Sequence, residues 1–105
     1  MITFKTYQEL DQYLKGHTDL CMTRRYLNNA IKDEASFLVK SSKEKGKEAK
    51  QKYTKQAQED YLEEINEYLA SDIQITAMSV MGYRRRIHSW AIAGSIKDYI
   101  KAQEA

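Results

Sequence analysis

Apolar positions along the 105-residue chain recur mostly three and four apart, the spacing of helices that each bury one face. Tyr7, Leu10, Tyr13 and Leu14 open the series behind Thr6 and Glu9, a pair at capping-box spacing whose side chains satisfy orphan backbone donors. Gly16 then supplies a stop, so a first helix is predicted over about 7–15. Met1–Lys5 fits extended backbone as well as helix.

Thr18 or Asp19 can cap a second helix over about 19–41, where Leu20, Leu27, Ile31, Ala35 and Leu38 keep a helical stripe. Tyr26 and Phe37 widen that stripe, with Ala30 and Glu34 at its edge. The polar run Ser41–Gly46 reads as a turn. A third helix follows over about 47–70. Its first half has little to bury beyond Ala49, Tyr53 and Ala57. In its second half Tyr61, Leu62, Ile65, Tyr68 and Leu69 share one face, opposite a ladder of Glu59, Glu63 and Glu67.

Ser71 and Asp72 mark another start, and a fourth helix is predicted over about 73–91. It carries the single tryptophan and the Arg84–Arg86 triplet. Gly94 followed by Ser95 suggests a break and a last helix over about 95–103. The expected fold is therefore all-α, a single domain over 1–105 built as a small bundle of four to five helices. Helix 73–91 would pack centrally or pair across a homodimer.

Composition supports this expectation. The chain has no proline and only four glycines, so little in it interrupts long helices. The single cysteine, Cys21, excludes an intramolecular disulfide. No run of 18 apolar residues offers a membrane span, and the opening MITFKTYQELDQ lacks the pattern of a signal peptide. A cytoplasmic protein is the expectation.

The net charge of +2 hides an alternation: −1 over residues 1–20, +4 over 21–50, −4 over 51–72 and +3 over 73–105. Such blocks either attract an acidic partner or neutralise one another between neighbouring helices.

Helical angles separate the arginine triplet. With Ala77 as the origin, Ile73, Val80, Met81, Ile87 and Ala91 form a core stripe, and Arg84 and His88 fall inside it. A guanidinium there needs a partner. An internal carboxylate such as Glu64 or Glu59 can supply it, because counting outward from Asp72 brings Asp60 opposite Arg84. Otherwise Arg84 and His88 meet an anionic group in a crevice between helices. Arg85 goes to the flank. Arg86 points outward beside Tyr83 and Trp90, a composition typical of binding hot spots.

No chemistry of catalysis is legible. His17 and Cys21 with His88 are too few soft ligands for a structural zinc site without carboxylates, and the Cys–His pair lacks a recognisable third group. On this reading Cys21 is a small buried hydrophobe and His17 a loop residue. The four glycines are isolated, so no phosphate loop is present. No cofactor or metal is called for.

The function expected is a non-enzymatic binding protein, an adaptor, regulator or inhibitor that docks on a larger protein. Tyr83, Arg86 and Trp90 would form the patch, with Arg24 and Arg25 steering the encounter. The alternative is a DNA- or RNA-binding regulator using Arg24, Arg25 and Arg84–Arg86 on phosphates. The lysine-rich 43–55 region lacks the apolar face that membrane-surface binding needs.

Overall fold

The computed structural model describes residues 2–71 and 84–104. The described residues form helices α1 (Tyr7–Gly16), α2 (Cys21–Ser42), α3 (Lys47–Ala70) and α4 (Arg84–Glu104), with a 3-10 turn at Thr18–Leu20. They contain no strand, and the fold is a small all-α bundle. The expected elements at 73–83 lie outside the described residues.

Local chemistry sets the ends. Thr6 Oγ1 accepts from the Glu9 amide at 3.2 Å, and Glu9 Oε2 accepts in turn from the Lys5 amide at 2.9 Å. The capping box thus closes one residue upstream of its usual donor. After Ser42 the chain turns through Lys43 in the left-handed region (φ 62°) and Gly46 at φ 97°, ψ 178°. That second conformation is nearly exclusive to glycine, so Gly46 is what lets α3 fold back on α2.

Asp11 and Arg24, 2.8 Å apart, and Tyr7 and Asn28, 3.0 Å apart, show α1 running antiparallel to α2. Glu44 meets Lys52 at 3.4 Å where α2 gives way to the antiparallel α3. Glu48 stands at i, i+4 spacing to that lysine, but the turn brings Glu44 to it instead.

Pairing between α3 and α4 runs the other way. Arg85 meets Asp60, Ser89 meets Glu64, and Lys97 donates to the carbonyl of Ser71 at 3.0 Å. Positions rise together along both helices, so α3 and α4 are parallel. A hairpin count had paired Arg84 with Asp60. The neighbourhood is right, but the direction is not.

The core is continuous. Leu10 and Leu14 of α1, Leu27 and Ile31 of α2, Tyr61 and Ile65 of α3 and Ile92 and Ile96 of α4 are all buried. Phe4 joins them from the extended N-terminal segment, clipped by Asn66, which accepts from its amide at 2.9 Å and donates to its carbonyl at 2.7 Å.

Two expectations about α4 are corrected. It continues through Gly94 instead of restarting at Ser95, because one glycine costs a helix only about 1 kcal/mol relative to alanine. Among the described residues α4 packs on α2, α3 and the 3-10 turn. Its buried positions are Ser89, Ile92, Ala93 and Ile96. Counted at 100° per residue, that stripe sits roughly 120° from the phase expected from residues 73–81. Ile87 is consequently exposed and Ala91 half-buried.

Candidate functional site

That rotation exchanges the roles of two arginines. Arg84, expected in the core, is exposed, and its guanidinium only approaches the exposed Asp33 at 4.0 Å. Arg85 is the inward arginine. Its Nε donates to Glu64 Oε1 at 2.7 Å, while Nη1 lies 3.5 Å from Asp60 and 3.6 Å from Glu34. Three carboxylates from α2 and α3 thus converge on one guanidinium from α4. Burial works against the charge of Arg85, but its hydrogen bond to Glu64 and the fields of Glu64, Asp60 and Glu34 prevail and raise its pKa.

Glu64 also accepts from the buried Ser89 hydroxyl at 3.2 Å. Beside it, Tyr61 OH and His88 Nδ1 share a hydrogen bond at 3.1 Å, and Tyr26 meets the His88 ring edge-on. Burial, then Glu34 and Glu64, push the Tyr61 hydroxyl well above its ordinary range. His88 moves below its ordinary value, through burial first and the charge of Arg84 second, against Asp33 and Glu34. Both shifts favour the uncharged forms, a protonated Tyr61 hydroxyl beside a neutral His88 ring. Arg84, 4.0 Å from Asp33, and His88, within the fields of Asp33 and Glu34, both lie near internal carboxylates.

Among the described residues every buried side-chain nitrogen or oxygen has a hydrogen-bond partner. No group of three His, Cys, Asp or Glu side chains there is arranged to hold a metal ion. In the carboxylate cluster the Arg85 guanidinium fills the place an ion would take. The cluster is a polar core that ties three helices together.

Of the expected docking patch on 83, 86 and 90, positions 86 and 90 fall within the described residues. Tyr83 lies outside the described residues. Arg86 is engaged by Tyr68 OH at 3.5 Å and Glu67 at 3.9 Å. Trp90 is half-buried and packs against the core. Arg24 is held by Asp11, its pKa raised by that hydrogen bond and charge. Arg25 is exposed.

Two smaller expectations change as well. Cys21 is exposed at the start of α2. His17 is half-buried, with Nδ1 2.9 Å from Tyr99 OH and its ring 4.4 Å from that of Tyr13, so it links the end of α1 to α4.

The exposed apolar surface is elsewhere. Met22 is 64% exposed, Phe37 63%, Tyr26 43% and Ile87 37%. Tyr26 and Phe37 were expected to widen the core stripe of α2, but the core closes over Leu27, Ala30, Ile31 and Ala35 and leaves them outside. Met22, Tyr26 and Phe37 fall within about 60° on the outer side of α2. Met22 and Tyr26 line a groove of about 440 Å³ between α2 and α4, whose other wall is Ala91, Ile92 and Ser95. The only signal for it in the sequence is that apolar residues cover more of the circumference of α2 than one contact can bury.

Comparison with protein families, curated proteins and solved structures finds no match, so the reading of this surface rests on its geometry.

Proposed function

We propose that this chain is a small non-enzymatic binding protein, an adaptor, regulator or inhibitor that docks a helical surface on a larger protein partner. The observation that carries the reading is the open α2–α4 groove, lined by the exposed Met22 and Tyr26. Large apolar side chains left outside a closed core cost solubility, and contiguous ones typically mark a contact with another molecule. The docking surface on this reading is centred on Met22 and Tyr26, on the α2 wall of that groove. An exposed lone Cys21 fits a reducing compartment such as the cytoplasm.

The nucleic-acid alternative gains little from the geometry. Arg24, Arg84, Arg85 and Arg86 each lie within salt-bridge distance of a carboxylate, which lowers what each can offer a phosphate.

Affinity capture of the tagged protein from its native host, with and without nuclease, tests the reading. A protein partner should survive nuclease and be lost with Tyr26→Asp, a variant whose helicity circular dichroism confirms. A partner released by nuclease, or no partner at all, overturns it.

A further inference from the structure

A second groove lies on the other side of α2. It has a volume of about 430 Å³ between α1 and α2 and is lined by Lys15, Arg24, Arg25, Asn28 and Asn29, with Cys21 at its edge. Arg25 and Asn29 line both grooves. The N-terminal half of α2 therefore carries an apolar strip and a cationic strip side by side, with Arg25 on the ridge between them.

Two of the three charges in the cationic strip are not spent internally. Asp11 neutralises Arg24. Among the described residues Arg25 and Lys15 have no ion pair. The Oδ1 of Asn28 takes part in a hydrogen bond with Tyr7 OH, which leaves its amide nitrogen to donate outward. This surface offers two exposed cations and amide donors next to an apolar trough, and its complement is an apolar stripe flanked by carboxylates.

We propose that the α2 surface takes an acidic amphipathic helix of a partner protein, its apolar face in the Met22–Tyr26 groove and its carboxylates on Arg25 and Lys15. This rests on the protein-binding reading above and names its partner class. A groove between two helices suits a helix presenting anchors at i, i+3, i+4 and i+7. Charge on one flank fixes orientation and speeds encounter. A second copy of this chain meets the requirement less well: its acidic ladder Glu59, Glu63 and Glu67 is exposed, but the apolar neighbours of that ladder, Ile65, Tyr68 and Leu69, face its own core. A nucleic-acid strand would satisfy the cations but not the apolar trough.

The test is site-specific photocrosslinking in the native host, with the full chain carrying a benzophenone amino acid at position 26, or at exposed Gln56 or Lys101 as controls. The expected result is a crosslink from position 26 into a protein segment that is helical, acidic and amphipathic. The peptide of that segment should bind the purified protein, with affinity reduced about tenfold or more by Arg25→Glu and largely kept in Arg25→Lys. A crosslink from position 26 to nucleic acid, to lipid or to a second copy overturns the proposal. So does a segment that is not acidic, or a peptide indifferent to Arg25→Glu. Protein crosslinks from 56 or 101 alone also overturn it while leaving the broader protein-binding reading intact. Protein crosslinks from none of the three positions remove both.

Discussion

Arg85 reaches from α4 to within 2.7 Å of Glu64 on α3, and Glu64, with its side chain 8% exposed, also accepts from Ser89. The adjacent Arg84 instead stands 76% exposed, 4.0 Å from an equally open Asp33. Two neighbouring arginines of one sequence triplet thus do different work. Arg85 is the counter-ion of three half-buried carboxylates, and Arg84 is a surface charge.

Replacing Arg85 by alanine leaves Glu64 buried beside Asp60 and Glu34 with no cation, and breaking a buried pair costs up to about 3–5 kcal/mol. Arg85 is itself 39% exposed, so water offsets part of the loss and about 2 kcal/mol is the expectation. Arg84→Ala should cost no more than about 0.5 kcal/mol, as exposed pairs do. Urea unfolding of both variants checks this, and equal costs would count against the assignment. The double variant Arg85→Met with Glu64→Leu should recover part of the loss, because the most buried carboxylate goes with its cation, although Asp60 and Glu34 still lose Arg85 and Ser89 loses its acceptor.

His88 makes stability depend on pH in a defined direction. Its pKa in the folded protein lies below the ordinary 6.5, through burial and then the Arg84 charge. The unfolded chain therefore binds a proton first as pH falls through 6.5. The contribution of His88 is fully present above that value and is lost as pH drops toward its folded pKa. A proton NMR titration of the His88 ring should show a midpoint below 6.5. His88→Gln should flatten the fall in stability as pH drops below the ordinary histidine value of 6.5. A midpoint at or above 6.5 would refute the buried neutral ring.

The two glycines that flank α3 and sit within α4 should respond oppositely to alanine. A Cβ at Gly94 meets nothing within 4 Å, and the helix runs straight through it. Gly94→Ala should stabilise by about 0.5–1 kcal/mol, mainly by narrowing the unfolded ensemble. A Cβ at Gly46 also has open space, but its φ of 97° and ψ of 178° are costly for any L side chain. Gly46→Ala should destabilise by about 1–3 kcal/mol. Thermal melts of the pair separate a backbone effect from a steric one.

These residues also show where sequence reading reaches its limit. The first three helices were legible from Thr6 with Glu9 at the start of α1, the Leu27–Ile31–Ala35 series and the Tyr61–Ile65–Leu69 face. Neither Thr18 nor Asp19 caps α2, however, which begins at Cys21 behind Leu20 without a side-chain cap. The phase of α4 was not, because its buried positions include Ser89 and Ala93, which hydropathy barely distinguishes from surface. Asp60 was placed near the triplet by counting, yet a count does not reveal that α3 and α4 run parallel. Which side of α2 stays open depends on where α4 lies against it. No feature within α2 itself records that, so Tyr26 and Phe37 looked like core.

The clip between Asn66 and Phe4 was equally invisible in the sequence, since it joins an extended N-terminal segment to a helix 62 positions away. The amide of Asn66 occupies both backbone groups of Phe4, one as acceptor and one as donor. Asn66→Ala should free both, exposing Phe4 and costing about 1–2 kcal/mol, while Asn66→Asp keeps the acceptor and loses the donor. Hydrogen exchange at the Phe4 amide should accelerate in Asn66→Ala and much less in Asn66→Asp. Equal protection in all three proteins would show that burial of the Phe4 ring alone holds the segment.

The docking surface makes a last prediction about stability. If Met22 and Tyr26 serve a partner, and Phe37 like them stands outside the core, the isolated protein should tolerate losing each of the three. Met22 and Phe37 are 64% and 63% exposed, so Met22→Gln and Phe37→Gln should each shift unfolding free energy by no more than about 0.5 kcal/mol. Tyr26 packs edge-on against His88, so Tyr26→Gln should cost somewhat more, about 1 kcal/mol. Leu27→Ala, one position away but fully buried, should cost about 2–5 kcal/mol. Chemical denaturation of the four variants measures the contrast. A cost at Met22 or Phe37 comparable with that at Leu27 would mean that these side chains are structural, and would remove the argument that α2 presents them to another molecule.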